Sequence, residues 1–435
     1  MKKVSKVVLS CSVALALLSA CQHGSVTQAP ATGVSAGTRQ AVLEKGVWED
    51  KLYERLVKMI TENGKGSVGY DAHNKPYAVF DWDNTAIIND IGEATFTYQI
   101  ANLEFKMTPQ QFDEAIRKNL PKENFSADWN NSDGGAVNIE KIAVDLLKNY
   151  TYIYQNYKGM AGNKSLADIK KTDQYKDFSA KLRYLYEAVG DSFSPDISYP
   201  WVTYLFAGFT SQEVQDLTEK SIDYALKDDL KYEVWQSPAS LKGEAGQVSV
   251  KFKRGIRNVR EVQNLIKALK DNGIDVYVCS ASYYDVIYPY ATNSKYGYNV
   301  DKDKITAMRL AKDGKGVIQS ELDSRYAQTQ GTGKTETIQK LIAPKHGNKI
   351  PLLVAGDSNG DYAMMSDFDL QVGIIFNRIR DTSKGIGKLS KDAVDTYGQD
   401  NAVYFLQGRD ENKGVLLHGR ETVLLEKTEA QLLKK

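Results

Sequence analysis

Two aspartates and a threonine directly follow a short apolar segment, residues 77–80. That segment is apolar without alternation and rich in β-formers, which predicts a strand buried on both faces. Asp81, Asp83 and Thr85 would then lie at its carboxyl end, where ligands collect in parallel α/β sheets. Because ionised carboxylates beside a dry sheet need a cation or hydrogen-bond donors, the spacing points to chemistry with a divalent metal. Taken alone, the same residues equally fit a turn or a helix cap.

Two later apolar segments also end in polar side chains. Residues 274–279 predict a strand that ends in a hydroxyl-bearing turn at residues 280–282, and residues 351–355 predict another strand. Ser280 follows the first of these segments, and Asp357 and Asp361 follow the second. Lys334 lies at the start of the helix predicted at residues 335–342. Because the carboxyl ends of parallel strands meet at one edge of a sheet, we expect these side chains and the first aspartates to form one site.

The order and spacing of these motifs resemble the haloacid-dehalogenase superfamily of phosphotransferases. The shared pattern is Asp-x-Asp-x-Thr after one strand, Ser after a second, Gly-Lys at a helix start and Gly-Asp-x-x-x-Asp after a third. The resemblance implies an α/β fold with a Rossmann-like parallel sheet core and a large inserted helical cap. With Asp83 the motif resembles the phosphatase and phosphomutase branch, because dehalogenase-type members lack this second acid and ion-pumping members replace it.

The resemblance implies a two-step hydrolysis of a phosphate ester. Asp81 would be the nucleophile that forms an aspartyl-phosphate. Asp83 would protonate the leaving oxygen and then activate water. The implied cofactor is Mg²⁺, with the Asp81 carboxylate, the Asp83 backbone carbonyl and Asp357 as its ligands.

Four further residues receive supporting roles from the same resemblance. Thr85, Ser280 and Lys334 would hold the phosphoryl oxygens, because catalysis of phosphoryl transfer is mostly positioning and neutralisation of charge. Asp361 would orient the metal ligands or Lys334.

The amino terminus resembles a bacterial lipoprotein signal. Three lysines precede an apolar run that is short for a membrane span, and Leu-Ser-Ala-Cys follows. We therefore predict a signal peptide at residues 1–20, lipidation of Cys21 and a flexible tether at 21–45; the alternative is a simple transmembrane anchor. Gln22, which is not acidic, favours a cell-envelope protein anchored in the outer membrane and facing the periplasm.

The 435 residues allow two or three domains, or one core with a large insertion. Residues 46–89 and 246–435 predict the catalytic core, because strand-like and helical segments alternate there. Residues 90–245 contain mainly helical periodicities and predict the cap. The net charge of +1 gives no indication of a nucleic-acid partner.

The predicted cap is dense in aromatic residues, and two acids lie at its start. Aromatic ring faces can hold a quaternary ammonium, although most single rings in such a domain belong to its core. The candidates for selecting a small phosphate-ester substrate are Asp90, Glu93, Tyr199 and Trp201.

The core motifs look similar to those of bacterial phosphorylcholine phosphatases, which implies phosphorylcholine as the substrate. One alternative is a phosphatase for another small ester, such as phosphoserine, a nucleotide or a sugar phosphate. Another is a non-catalytic surface lipoprotein that uses the same scaffold for binding.

Overall fold

A six-stranded parallel sheet forms the centre of the protein, whose computed structural model describes residues 43–434. The predicted signal peptide, Cys21 and the tether up to residue 42 lie outside the described residues. Within the described part, no helix has both the length and the apolar character needed to cross a membrane.

The helices of residues 43–434 are α1 (Asp50–Asn63), α2 (Ile91–Asn102), α3 (Pro109–Arg117), α4 (Ile139–Asn156), α5 (Leu166–Lys170), α6 (Asp173–Ser192), α7 (Pro195–Thr203), α8 (Ser211–Ala225), α9 (Arg260–Asp271), α10 (Tyr284–Thr292), α11 (Thr332–Thr337), α12 (Tyr362–Ser366) and α13 (Gly385–Asp395). The strands are β1 (Tyr77–Phe80), β2 (Ile87–Ile88), β3 (Lys231–Gln236), β4 (Ser249–Arg254), β5 (Arg257–Asn258), β6 (Asp275–Tyr283), β7 (Ile305–Met308), β8 (Leu310–Lys312), β9 (Ile318–Leu322), β10 (Leu353–Gly356), β11 (Val372–Phe376), β12 (Tyr404–Gln407), β13 (Arg409–Asp410), β14 (Val415–Leu416), β15 (Thr422–Val423) and β16 (Ala430–Gln431).

Strand β1 lies inside the sheet, whose order is β12-β11-β10-β1-β6-β7. All four β1 residues are fully buried, as the unbroken apolar segment predicts. Phe80 pairs with Ala355 on one side and with Val278 on the other. The chain runs outward from β1 in one direction and then resumes on its other side at β10, so the strand order reverses between β1 and β10. Ligands bind at such a reversal in parallel α/β sheets.

The predicted Rossmann-like α/β fold is confirmed, with differences in individual elements. The turn predicted at residues 280–282 is wrong, because β6 continues through these residues to Tyr283. Its pairing with β7 shifts register between Ser280 and Tyr283. A bulge of this kind keeps residues in the strand while it changes where their side chains point. Strand β12, which was not predicted, extends the sheet beyond β11.

A long insertion leaves the sheet after β2 and returns at β5. The two short strands pair antiparallel, Ile87 with Asn258 and Ile88 with Arg257, so they tie the two ends of the insertion together. Between them lie the helices α2–α8 and the hairpin of β3 and β4. The hairpin was not predicted, and it spans the cap boundary that we placed between residues 245 and 246.

Much of the aromatic density in the insertion forms its core. Phe112 and Tyr150 stack with ring centroids 4.1 Å apart, and Phe105 and Phe178 pack around them. The Tyr150 hydroxyl donates to the backbone carbonyl of Met107 at 2.7 Å, which satisfies its buried polar atom. These rings are part of the hydrophobic core.

Candidate active site

Asp81 accepts a hydrogen bond from Lys334, a residue 253 positions away in sequence. The Lys334 ammonium lies 2.7 Å from Asp81 Oδ1 and 2.6 Å from Asp361 Oδ1, and all three side chains are buried. Burial lowers the pKa of Lys334, but the charges of Asp361 and Asp81 outweigh it and raise that pKa above its ordinary value. Lys334 is therefore a fixed cation beside the predicted nucleophile.

Thr85 links the ends of the two central strands. Its hydroxyl lies 3.1 Å from Asp81 Oδ2 and 3.2 Å from Asp357 Oδ1. The Asp81 amide continues the sheet by donating to the carbonyl of Ala355 at 3.0 Å. The reversal of strand order thus brings the carboxylates that follow β1 and β10 to one point.

Asp83 is held by two donors. The Ile91 amide lies 2.7 Å from its Oδ1, and the Ser282 hydroxyl lies 2.7 Å from its Oδ2. Burial raises the pKa of Asp83 to about 7, although the Ser282 hydrogen bond acts in the opposite direction. A carboxyl with such a pKa can both give and take a proton near neutral pH. Ser282 was not predicted, because its position depends on the bulge in β6.

Asp361 organises the loop that follows β10. Its Oδ2 accepts from the Asp357 amide at 3.0 Å and from the Ser358 amide at 3.0 Å, while its Oδ1 accepts from Lys334. It therefore contacts both the loop and the lysine, and its role in orienting the metal ligands or Lys334 stays a prediction.

Three carboxylates are close enough to share one metal ion. Asp81, Asp357 and Asp361 each offer an oxygen, and these atoms lie within 4.8 Å of one another. Such oxygens are the ligands that Mg²⁺ prefers, and a divalent cation would offset the repulsion between buried acids, so the residues present fit this ion. The Asp83 side chain is not part of this group; the predicted role of its backbone carbonyl stays a prediction.

Two arginines follow β11 and reach the same site. Arg378 Nη1 lies 2.7 Å from Asp357 Oδ2, whereas Arg380 Nη2 lies 3.8 Å from that oxygen. The positive charge of Arg378 and burial lower the pKa of Arg380 to about 10. Between the two lies Ile379 with φ of 57°, a conformation that is unusual for a β-branched residue. Neither arginine was predicted; the only signal in the sequence was an Arg-x-Arg pair shortly after a strand.

A cavity of about 110 Å³ lies in front of these groups. Its charged lining residues are Asp81, Asp83, Asp90, Glu93, Lys334, Asp357, Asp361, Arg378 and Arg380. Its aromatic lining residues are Phe96, Tyr186, Tyr199, Phe206 and Tyr283. Ser280 also lines it, whereas Thr85 does not. The cavity thus joins the strand ends to helices α2, α6 and α7 of the insertion.

Three of the four predicted substrate-selecting residues line this cavity. Asp90 caps α2 by accepting from the Glu93 amide at 2.8 Å, and Glu93 is paired with the buried Arg183 at 2.7 Å. Tyr199 is the third. Trp201 is not in the lining: its indole donates to the Ile116 carbonyl at 2.9 Å, within the core of the insertion. An aromatic residue on a buried helix gives no sequence signal that separates these two positions.

Comparison with known proteins finds a curated enzyme that is similar over part of this chain and a solved structure that is similar over most of it. No model of a known protein family matches the chain. A curated phosphorylcholine phosphatase from Pseudomonas aeruginosa is 26% identical over 181 residues, which cover 37% of this chain and 49% of that enzyme. The chain thus matches about half the length of this curated relative. A solved structure of a conserved, functionally unknown protein from Anaerococcus prevotii is 33% identical, with a TM-score of 0.83, over 89% of this chain and 99% of that one.

The parallel sheet and its strand order define the protein as an α/β protein with a Rossmann-like sheet core. Within that class, the chain belongs to the same family as the Anaerococcus prevotii protein.

Proposed function

We propose that the protein is a phosphoric monoester hydrolase that acts through an aspartyl-phosphate. The observation that carries this proposal is the environment of Asp81, which lies between the ammonium of Lys334 and the hydroxyl of Thr85, next to Asp357. A carboxylate fixed beside a cation, a hydroxyl and a second acid suits attack on a phosphoryl group. The similarity to a phosphorylcholine phosphatase supports the same reaction class.

In the first step, an oxygen of Asp81 forms a bond to phosphorus while the bond from phosphorus to the ester oxygen breaks. Asp83 donates its proton to the departing oxygen, so the alcohol leaves neutral. In the second step, water attacks phosphorus and gives its proton to Asp83, and the bond between phosphorus and Asp81 breaks. The raised pKa of Asp83, about 7, suits both directions of proton transfer.

The remaining residues hold the reacting groups in place. Lys334 balances the charge of the phosphoryl oxygens, and Ser280 faces the same cavity. Asp81 and Asp357, with Asp361 nearby, would hold Mg²⁺, which would supply further positive charge at the phosphoryl group. Ser282 keeps the Asp83 carboxyl oriented toward the cavity.

For the substrate, we propose a small phosphate ester, with phosphorylcholine as the first candidate. The ring-lined side of the cavity contains Tyr186 and Tyr199, and Asp90 provides a carboxylate beside them. Ring faces and an acid are the groups that hold a quaternary ammonium. Glu93 contributes less charge, because Arg183 already pairs with it. One alternative is that the substrate is another small phosphate ester. The other is that the protein binds a ligand without catalysis.

We also propose that the chain is attached to the bacterial cell envelope through lipid on Cys21 after removal of residues 1–20. Metabolic labelling with a palmitate analogue tests this directly. The full-length chain should carry the label, and Cys21→Ala should not; label on the variant would contradict the proposal.

The catalytic proposal is tested by phosphate release with Mg²⁺ from phosphorylcholine, phosphoserine, AMP, glucose 6-phosphate and p-nitrophenyl phosphate. Asp81→Asn should abolish release, while Asp400→Asn, the same chemical change at an exposed position, should retain it. Activity on many esters would keep the reaction and reject the choline preference. A folded wild-type protein that releases no phosphate with any metal would overturn the hydrolase proposal.

A further inference from the structure

Three cations line the catalytic cavity, and they differ in how their charges are balanced. Lys334 contacts Asp81 and Asp361 at 2.7 and 2.6 Å. Arg378 contacts Asp357 at 2.7 Å. For Arg380, the nearest carboxylate oxygen among the described residues belongs to the same Asp357 and is 3.8 Å away. Arg380 is thus the lining cation without a short ion pair.

The guanidinium of Arg380 also has unused hydrogen-bonding capacity. Its Nε is buried and has no hydrogen-bond partner in the described structure. Its side chain is 38% exposed and lines the cavity. A buried donor without an acceptor is costly, and an arginine fork matches the oxygens of a phosphate or carboxylate. The site therefore offers donors for an anion.

The loop that carries Arg380 is fixed by its neighbours. Asn377 Oδ1 accepts from the Ile379 amide at 2.9 Å, and Asn377 Nδ2 donates to the carbonyls of Arg420 and Leu432 at 2.8 and 2.7 Å. These contacts hold Ile379 at its positive φ of 57°. Unusual backbone of this kind persists where the surrounding structure determines it, often at ligand sites. Arg380 therefore belongs to a loop whose conformation is fixed by hydrogen bonds.

We propose that Arg380, together with Lys334, binds the phosphoryl oxygens of the substrate and of the phosphate product. The inference rests on the proposed phosphatase function and adds to it a residue that none of the sequence motifs contains. Contacts connect Arg380 to the nucleophile in three short steps: 3.8 Å to Asp357, 3.2 Å from Asp357 to Thr85, and 3.1 Å from Thr85 to Asp81. A phosphoryl group on Asp81 would therefore form close to the residues of this chain of contacts.

The charge balance of the cavity gives the physical reason. Six acids and three arginine or lysine side chains line it, and the substrate brings further negative charge. The two cations already paired at short distance offset those acids. Arg380 is the one whose charge is free to attract the incoming phosphoryl dianion, and a charge-assisted hydrogen bond of this kind is stronger than a neutral one.

The test is equilibrium binding of inorganic phosphate, measured by calorimetry with and without Mg²⁺, for the wild type, Arg380→Gln, Arg380→Lys and Arg260→Gln. Arg260 has an exposed side chain outside the cavity lining, so its replacement controls for the change in net charge. We expect Arg380→Gln to weaken phosphate binding by about 10- to 100-fold, as for a lost hydrogen bond between charged groups. Arg380→Lys should recover part of the loss, and Arg260→Gln should bind like the wild type. Thermal melting of each variant checks that it is folded.

Steady-state kinetics shows which anionic group of the substrate Arg380 binds, the phosphoryl group or a second anionic group of the ester. If Arg380 holds the phosphoryl group, Arg380→Gln raises KM for p-nitrophenyl phosphate and for esters with a second anionic group by similar factors. A rise confined to esters with a second anionic group would overturn the proposal in favour of binding elsewhere on the substrate. Unchanged phosphate affinity in a folded Arg380→Gln would also overturn it, while leaving the phosphatase function intact. A wild type that binds phosphate through Arg380 but hydrolyses no ester would reject the function and keep the anion site.

Discussion

The guanidinium of Arg409 is bound to Asn84, 325 positions earlier in the chain. Arg409 Nη1 lies 2.9 Å from the Asn84 carbonyl oxygen, and Nη2 lies 3.2 Å from Asn84 Oδ1. Asn84 has a positive φ of 60° and lies between Asp83 and Thr85. A residue after the last strand of the main sheet therefore fixes the conformation of the loop that carries the predicted catalytic acids.

The Arg409 contact extends to the insertion. Arg409 Nη2 also donates to Glu411 Oε1 at 2.5 Å, and Glu411 Oε2 accepts from Lys253 in the β3–β4 hairpin at 2.7 Å. Arg409 and Glu411 are almost fully buried. Asn84, Arg409, Glu411 and Lys253 thus form a continuous polar chain from the catalytic loop to the hairpin.

Replacement of Arg409 should affect both stability and turnover. Arg409→Met leaves the buried Glu411 with Lys253 as its remaining ion-pair partner among the described residues, and loss of one partner of a buried ion pair costs about 3–5 kcal/mol of unfolding free energy. Arg409→Lys should retain more stability but still lower kcat, because an ammonium cannot reproduce the two-point contact with Asn84. Denaturant unfolding and kcat measure the two effects. The double variant Arg409→Met/Glu411→Leu should be more stable than Arg409→Met alone; equal stability would contradict the role of the buried charge.

Ser282→Ala should shift the pH dependence of turnover. The Ser282 hydrogen bond stabilises the ionised form of Asp83 and so lowers its pKa, which burial raises to about 7. Without the hydroxyl, the pKa of Asp83 rises, and a higher pH is needed before it can accept a proton from water. The acidic limb of the kcat profile should move upward by about one to two pH units. Ser294→Ala, at an exposed position, should leave the profile in place; a limb that stays fixed in Ser282→Ala would contradict this account.

Mg²⁺ should raise the melting temperature of the protein. Asp81, Asp357 and Asp361 hold their oxygens within 4.8 Å, so a bound cation stabilises only the folded state. At one hundred times the dissociation constant, such binding contributes about 2.7 kcal/mol. Asp357→Asn should lose most of the rise, and Asp400→Asn should retain it. Differential scanning fluorimetry measures the melting temperatures. Equal Mg²⁺-induced rises in the two variants would place the ion elsewhere.

Two aromatic residues only two positions apart should respond differently to substitution. Trp201→Phe removes a buried hydrogen bond to Ile116 and leaves a small void, which should cost about 1–3 kcal/mol of stability without a change in KM. Tyr199→Ala removes a ring from the cavity and should raise KM severalfold. Thermal melts and initial rates on phosphorylcholine distinguish the two. A raised KM in a folded Trp201→Phe would return that residue to the substrate-selecting group.

The sequence predicts the part of the site that depends on short motifs at strand ends. Strand β1 has the predicted bounds, 77–80, because an unbroken apolar segment fits a buried parallel strand. The structure brings Asp81, Lys334 and Asp361 together, although Lys334 lies at the start of α11 and not at a strand end. Their catalytic roles, like those of Thr85 and Ser280, stay predictions.

What the sequence does not predict depends on the path of the chain between motifs. Ser282 reaches Asp83 through a bulge, which has no signature in an alternating strand pattern. Arg378 and Arg380 belong to a loop whose direction is set by hydrogen bonds from Asn377 to distant carbonyls. Each of these contacts joins residues far apart in sequence, so periodicity along one segment carries no information about them.

The central position of β1 also governs when the site can form during biosynthesis. Phe80 pairs with Ala355, and the Asn84 carbonyl accepts a hydrogen bond from Arg409, which is synthesised much later. Contacts between residues so distant in sequence form late and slow folding. A ribosome that has completed the nucleophile and the whole insertion has therefore made no working site. Chains terminated before residue 353 lack β10, the partner of β1 on one side, and should accumulate as inactive species.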